Sequence, residues 1–157
     1  MTDRVREAVF SSLGGRVEGA VVADLFAGTG SIGLEALSRG AAAVTFVERS
    51  RRARAVLDAN IAAVGLGGVV VAGDVEQWLD AGDGQFDLAF VDPPYALSLP
   101  SVESILGRLA VRMVEGGIVV LHRRVGTSPA EAPDGMAIAD RRRYGDSEIS
   151  RIVKETS

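Results

Sequence analysis

The sequence predicts a three-layer α/β/α domain around a seven-stranded, mostly parallel sheet, closed by an antiparallel hairpin at its C-terminal end. Three observations carry that prediction. Short β-rich runs alternate with helical patterns along the first 124 residues, the mark of βαβ units. A glycine-rich loop, Asp24 to Gly33, falls where the first such run meets the next helix. Beyond residue 124 the alternation stops, and two strand-like runs follow with only a Tyr144-Gly145-Asp146 turn between them.

The elements read in order as follows. TDRVREAVFSSL is an opening helix with Val5, Val9, Phe10 and Leu13 on one face. GAVVADLF is the first strand and SIGLEALSR the helix after it. AAVTFVE is the second strand, followed by a helix through SRRARAVLDANIAAVG. VVVAGD is the third, followed by the short helix VEQWLDAG, closed by Gly82. FDLAFVD is the fourth, LPSVESILGRLAVRMV a helix, and GGIVVLHR the fifth strand. VGTSPAEAPDG is rich in small and turn residues and reads as a loop. MAIADRRRY and SEISRIVK form the closing hairpin. Residues 1–157 read as one domain, without internal repeats or a linker.

Composition narrows the functional classes. The chain has 157 residues, 47% of them hydrophobic and 24% charged, and no cysteine. Disulfides, thiolate metal sites and cysteine nucleophiles are therefore excluded. No run approaches the ~20 apolar residues of a membrane span, so a cytoplasmic protein is expected. The net charge of −4 argues mildly against nucleic acid. The arginines nevertheless cluster, at Arg49, Arg51, Arg52 and Arg54, at Arg123 and Arg124, and at Arg141 to Arg143. GC-rich codons or a partner phosphate both explain such clusters, and a solvated surface is the first reading of each.

Gly28, Gly30 and Gly33 satisfy G-x-G-x-x-G in the strand–turn–helix setting that makes this motif meaningful. Small residues, here with Phe26 and Ala27, let backbone approach a ligand, and the following helix presents its positive end. Glu48 ends the second strand twenty residues after Gly28, where a carboxylate can accept from both ribose hydroxyls, with Arg49 beside it. A nicotinamide dinucleotide and S-adenosylmethionine both fit so far. Asp24 separates them, because a carboxylate beside pyrophosphate is electrostatically poor and one beside a sulfonium-bearing amino acid is well matched. Asp74, at the end of the third strand and followed by Val75, either accepts from an adenine amino group or caps the helix VEQWL.

FVDPPYAL ends an apolar strand in an acid, two prolines and an aromatic ring. With the first half of the sheet running three-two-one, the fourth strand lies on the other side of the first, so this loop faces the glycine loop across the crevice. An exocyclic amino nitrogen is a poor nucleophile because its lone pair is delocalised into the ring. Asp92 and the carbonyl of Pro93 can each accept one of its N–H groups and turn the lone pair toward a methyl donor. Pro93 and Pro94 fix φ and so aim the carbonyls in advance. Tyr95 can stack on an extruded base. Alignment of this kind supplies roughly 7–11 kcal/mol in well-oriented systems.

Together, TDRVREAVFSSL, DLFAGTGSIGLEALSRGA, FVE, FVDPPY and RRYGDSEI resemble the bacterial small-subunit ribosomal RNA guanine-N2 methyltransferase family, over nearly the whole chain. The resemblance implies a Rossmann-like class I methyltransferase fold and S-adenosylmethionine as donor, leaving S-adenosylhomocysteine. It implies the 2-amino group of a 16S rRNA guanine as acceptor, of the guanine-966 type, in free rRNA or in a small-subunit assembly intermediate. By position, Asp24, Gly28, Gly30, Glu48 and Asp74 would hold the cofactor, and Asp92, Pro93 and Tyr95 the guanine. The family normally has a basic, glycine-containing hairpin before the TDRVRE helix, and Met1 stands at about its end, which predicts reduced RNA affinity. An acidic residue is more usual where this chain has His122, the only histidine.

The remaining expectations are modest. Arg4 should lie near the mouth of the site, and Arg141 and Arg143 share one strand face, so all three are candidate phosphate contacts. Trp78 anchors its short helix, and His122 is read as structural. No metal site and a monomer are expected. Adenine N6 in DNA or a protein glutamine amide remains an alternative acceptor, and a nicotinamide-dependent oxidoreductase is the alternative from another enzyme class.

Overall fold

The computed structural model describes residues 1–156. Seven strands form one sheet in the order β3-β2-β1-β4-β5-β7-β6: β1 (Val21–Leu25), β2 (Ala43–Glu48), β3 (Val69–Ala72), β4 (Phe86–Val91), β5 (Met113–Arg124), β6 (Met136–Tyr144) and β7 (Ser147–Lys154). β3, β2, β1, β4 and β5 run parallel, and β7 pairs antiparallel with both β5 and β6. The hairpin therefore enters the sheet by its second strand and leaves β6 at the edge. No helix among the described residues is long and apolar enough to cross a membrane.

Strand residues alternate faces, and the two faces take different helices. Val22, Val44, Phe46, Leu88, Phe90 and Val120 pack under α1 (Asp3–Leu13), α2 (Ser31–Ser38) and α3 (Arg51–Val64). Ala23, Leu25, Ala89, Val91, Val119 and Leu121 pack against α4 (Val75–Ala81) and α5 (Leu99–Ala110). This is the expected three-layer arrangement. The helix starts are written in the sequence, because Thr2, Ser50, Asp74 and Ser98 each accept a first-turn backbone N–H. Val5, Val9, Phe10 and Leu13 are the buried residues of α1, as the spacing predicts.

One boundary is corrected. The helix expected through Val114 ends at Ala110, and Met113 and Val114 belong to β5. Met113 pairs with Phe86, and the register then shifts before Leu88 meets Ile118. Glu115 to Gly117 make up the slack, with Gly116 at φ 76°. Buried Arg112, beside this start, stands 5.0 Å over the Trp78 ring and 5.3 Å over Phe86, and donates to the carbonyls of Gly84 and Leu79. Trp78 is thus the anchor it was expected to be.

Candidate active site

Three loops at the C-terminal ends of β1, β2 and β4 meet at the crevice where the strand order reverses. The glycine loop is shaped by close approach. A Cβ on Gly33 would lie 2.3 Å from Phe46 Cε1 and 2.9 Å from Asp24 Oδ2. Gly30 combines φ +92° with a Cβ position 2.4 Å from Leu57 Cδ1. Phe26, with φ 60°, is the one non-glycine residue in the left-handed region among the described residues. Such a conformation costs of order 1–3 kcal/mol and survives only where the surroundings enforce it.

A cleft of about 670 Å³ opens in front of this loop. Phe26, Glu48, Arg49, Asp74 and Val75 line it on one side, Asp92 and Pro94 on the other. The structure thus brings the expected cofactor side and acceptor side to one cavity. Asp24, Ala27, Gly28, Gly30, Pro93 and Tyr95 do not line it. Asp24 is instead buried against the start of α2, where its Oδ2 accepts from Gly33 N.

The carboxylates differ in what they still have to offer. Glu48 Oε1 accepts from Gly28 N at 2.8 Å, and Oε2 from Ser50 N at 2.7 Å. Each oxygen keeps one further lone pair, enough for a pair of hydroxyls. Asp74 realises the capping alternative, accepting from Gln77 N at 3.1 Å through Oδ2, while it also lines the cleft. Asp24 is 1% exposed, with Oδ2 accepting from Gly33 N at 3.0 Å and Oδ1 buried with no partner among the described residues. Burial pushes its carboxyl up from 3.8 to about 8, against the Gly33 hydrogen bond and with help from the charges of Asp92 and Glu48.

Asp92 is held from behind. Its Oδ1 lies 2.7 Å from His122 Nδ1, and His122 Nε2 lies 2.8 Å from Ser147 Oγ. A proton must sit between Nδ1 and Oδ1, so one carboxylate oxygen is committed and Oδ2 is left for a ligand. The N-terminal ammonium group of Met1 lies 3.4 Å from Oδ2, the place an amino donor would take. Burial alone would raise the Asp92 carboxyl; the His122 hydrogen bond and charge, with the ammonium, outweigh it and hold it below the usual carboxylate range. The Pro94 carbonyl accepts from Leu97 N at 2.9 Å, whereas that of Pro93 accepts none among the described residues. Tyr95 is 71% exposed.

His122, read from sequence as structural, is placed between Asp92 and Ser147. A lone histidine at a strand end carries no local signal, and its partner Ser147 reaches it only through the β5–β7 pairing. Its place, where the related family usually has an acid, was the one available clue. Among the expected phosphate contacts, Arg141 is instead bound within the protein, to Ser150 Oγ and the Ala130 carbonyl. Arg143 is exposed and 3.9 Å from Glu148. Arg4 is exposed near the start of α1, two residues from which Met1 N reaches Asp92.

The family model described as Conserved hypothetical protein 95 matches residues 1–153. A Bacillus subtilis protein named as a candidate rRNA methyltransferase, YlbH, is 31% identical over 150 residues, which cover 92% of this chain and 81% of that protein. The ribosomal RNA small subunit methyltransferase D of Escherichia coli is 39% identical over 99 residues, 62% of this chain and 50% of the relative. A solved Escherichia coli structure named as a candidate methyltransferase, yhhF, matches with a TM-score of 0.90 at 29% identity, covering 99% of this chain and 89% of that one. With the glycine loop, the DPPY loop and the switch-point cleft in one fold, the chain belongs to the Conserved hypothetical protein 95 family, the class I methyltransferases of the small-subunit ribosomal RNA methyltransferase D type.

Proposed function

We propose that this protein methylates the exocyclic 2-amino group of a guanine in 16S ribosomal RNA, with S-adenosylmethionine as donor. The observation that carries the reading is Asp92: an ionised carboxylate with one oxygen tied to His122 and the other facing a cleft shared with Glu48 and Asp74. The residues fit the cofactor on their own chemistry. Glu48 retains lone pairs for two ribose hydroxyls, and the unpartnered Oδ1 of buried Asp24, whose carboxyl stays protonated at neutral pH, suits a bound water. Phe26 and Val75 supply apolar walls for a flat base.

S-adenosylmethionine supplies, when bound, a methyl group on a cationic sulfur. The protein's work is on the acceptor. Asp92 Oδ2 and the Pro93 carbonyl each take one N–H of the guanine amino group, which draws its lone pair out of conjugation. Tyr95 stacks against the base, holding it out of its helix. The nitrogen becomes acidic once it carries the methyl group, and Asp92 Oδ2 would take its proton and pass it to solvent. His122 keeps the carboxylate ionised before the step and fixes its rotation. Arg4 and Arg143, exposed on the same molecule, are secondary phosphate contacts. On this reading the protein acts as a cytoplasmic monomer on free rRNA or on a small-subunit assembly intermediate.

The test is transfer of labelled methyl from S-adenosylmethionine to unmodified 16S rRNA and to small subunits, with nucleoside analysis. N2-methylguanosine is the expected product, and Asp92→Ala should abolish it while S-adenosylhomocysteine affinity stays within about twofold. Label in adenine, or full activity in the variant, would overturn the reading. Titration with NAD serves as the control, and no binding is expected.

A further inference from the structure

A second hollow, of about 250 Å³, lies on the far side of the DPPY loop from the cofactor cleft. Pro93, Pro94 and Tyr95 form one wall, His122 lies among them, and Arg123, Arg124 and Thr127 form the other. No acidic side chain among the described residues lines it. The Arg124 guanidinium stands 5.2 Å over the Tyr95 ring and makes no ion pair among the described residues. Arg123 instead donates to the Ser128 carbonyl, within the loop that follows β5.

This arrangement asks for an anion. Arg124 is exposed and has spent only its π face, on Tyr95, so its N–H fork is free to bind in plane. A guanidinium on one face of Tyr95 also leaves a base only the opposite face. A ligand that offers an aromatic ring to that face and a phosphate to the fork fits both groups at once. We infer that this hollow, resting on the rRNA-methyltransferase reading, is the seat of the phosphate adjoining the target guanosine, with Arg124 as its principal ligand. The Tyr95–Arg124 pair then couples base stacking to backbone capture. That coupling lets an acidic protein engage RNA at one built point rather than over a broad basic face.

The experiment measures binding of unmodified 16S rRNA by filter retention across a potassium chloride series, for wild type, Arg124→Gln and Arg124→Lys. Each phosphate contact contributes about 0.7–0.9 to the slope of log affinity against log salt. Arg124→Gln should lose roughly three- to tenfold in affinity near 0.1 M salt and flatten the slope by about that one contact. Arg124→Lys should recover the slope but only part of the affinity, having lost the planar stack. S-adenosylhomocysteine affinity should be unchanged in both. An Arg124→Gln protein with wild-type affinity and slope, or one that loses methyl transfer alone, overturns the inference. Wild-type protein that binds rRNA but methylates no guanine would defeat the functional reading, and the slope comparison would still judge the subsite.

Discussion

Replacing Asp24 with asparagine should remove a fall in stability with pH that the wild-type protein carries. In the folded protein the carboxyl titrates near 8 because it is buried; unfolded, it returns to about 3.8. A carboxyl raised on folding binds its proton more tightly in the native state. Its stabilising contribution is complete below the unfolded value and is lost as pH climbs toward the folded one. Within that window the unfolded chain holds fewer protons, so stability declines by about 1.4 kcal/mol per pH unit from this group alone. Between pH 5 and pH 7 the wild type should lose roughly 3 kcal/mol relative to Asp24→Asn. The amide keeps an acceptor for Gly33 N but places an N–H₂ where Oδ1 has no partner, a cost that does not vary with pH. Urea unfolding at pH 5, 6 and 7, extrapolated to water, gives both curves, and their difference isolates residue 24. Parallel curves would refute the argument, because they would mean that Asp24 is already ionised in the fold.

Glu48→Ala should weaken S-adenosylhomocysteine binding by roughly tenfold or more, since two hydroxyls lose their acceptor and Gly28 N its anchor; calorimetry reads it, and an unchanged constant would count against the placement. His122→Ala removes a charge-assisted hydrogen bond worth about 1.5–3 kcal/mol and should lower kcat on the order of 10- to 100-fold. It also removes an influence that holds the Asp92 carboxyl low, so the acidic limb of the kcat profile should move to higher pH; a loss of kcat with an unmoved limb would mean a structural role only. Gly33→Ala should cost about 1–3 kcal/mol in urea unfolding, because its Cβ would overlap the buried Phe46 ring, and stability equal to wild type would contradict the packing.

Much of the fold is local chemistry and so is legible in the chain. Caps at Thr2, Ser50, Asp74 and Ser98, together with period-two and helical spacing, mark element type and order. The βαβ alternation fixes the layers. The end of α5 was not legible, because Leu106, Leu109, Ala110 and Met113 continue a helical spacing while Met113 is recruited by its pairing with Phe86. A long-range strand contact there overrides a local pattern.

The candidate site divides in the same way. Asp92, Glu48 and the glycine loop could be named from sequence because strand ends at a topological switch point must converge. The side-chain relations could not. That Asp24 is buried on the α2 side, that Arg141 is bound to Ser150, and that Arg124 stacks on Tyr95 depend on which neighbours the sheet supplies. The clearest case is the link from Ser147 through His122 to Asp92, whose members lie 25 and 30 residues apart in sequence. Sequence alone determined which elements form and which loops meet. Tertiary structure decided which oxygen of Asp92 remains free, because His122 and Ser147 are brought to it by strand pairing across the sheet.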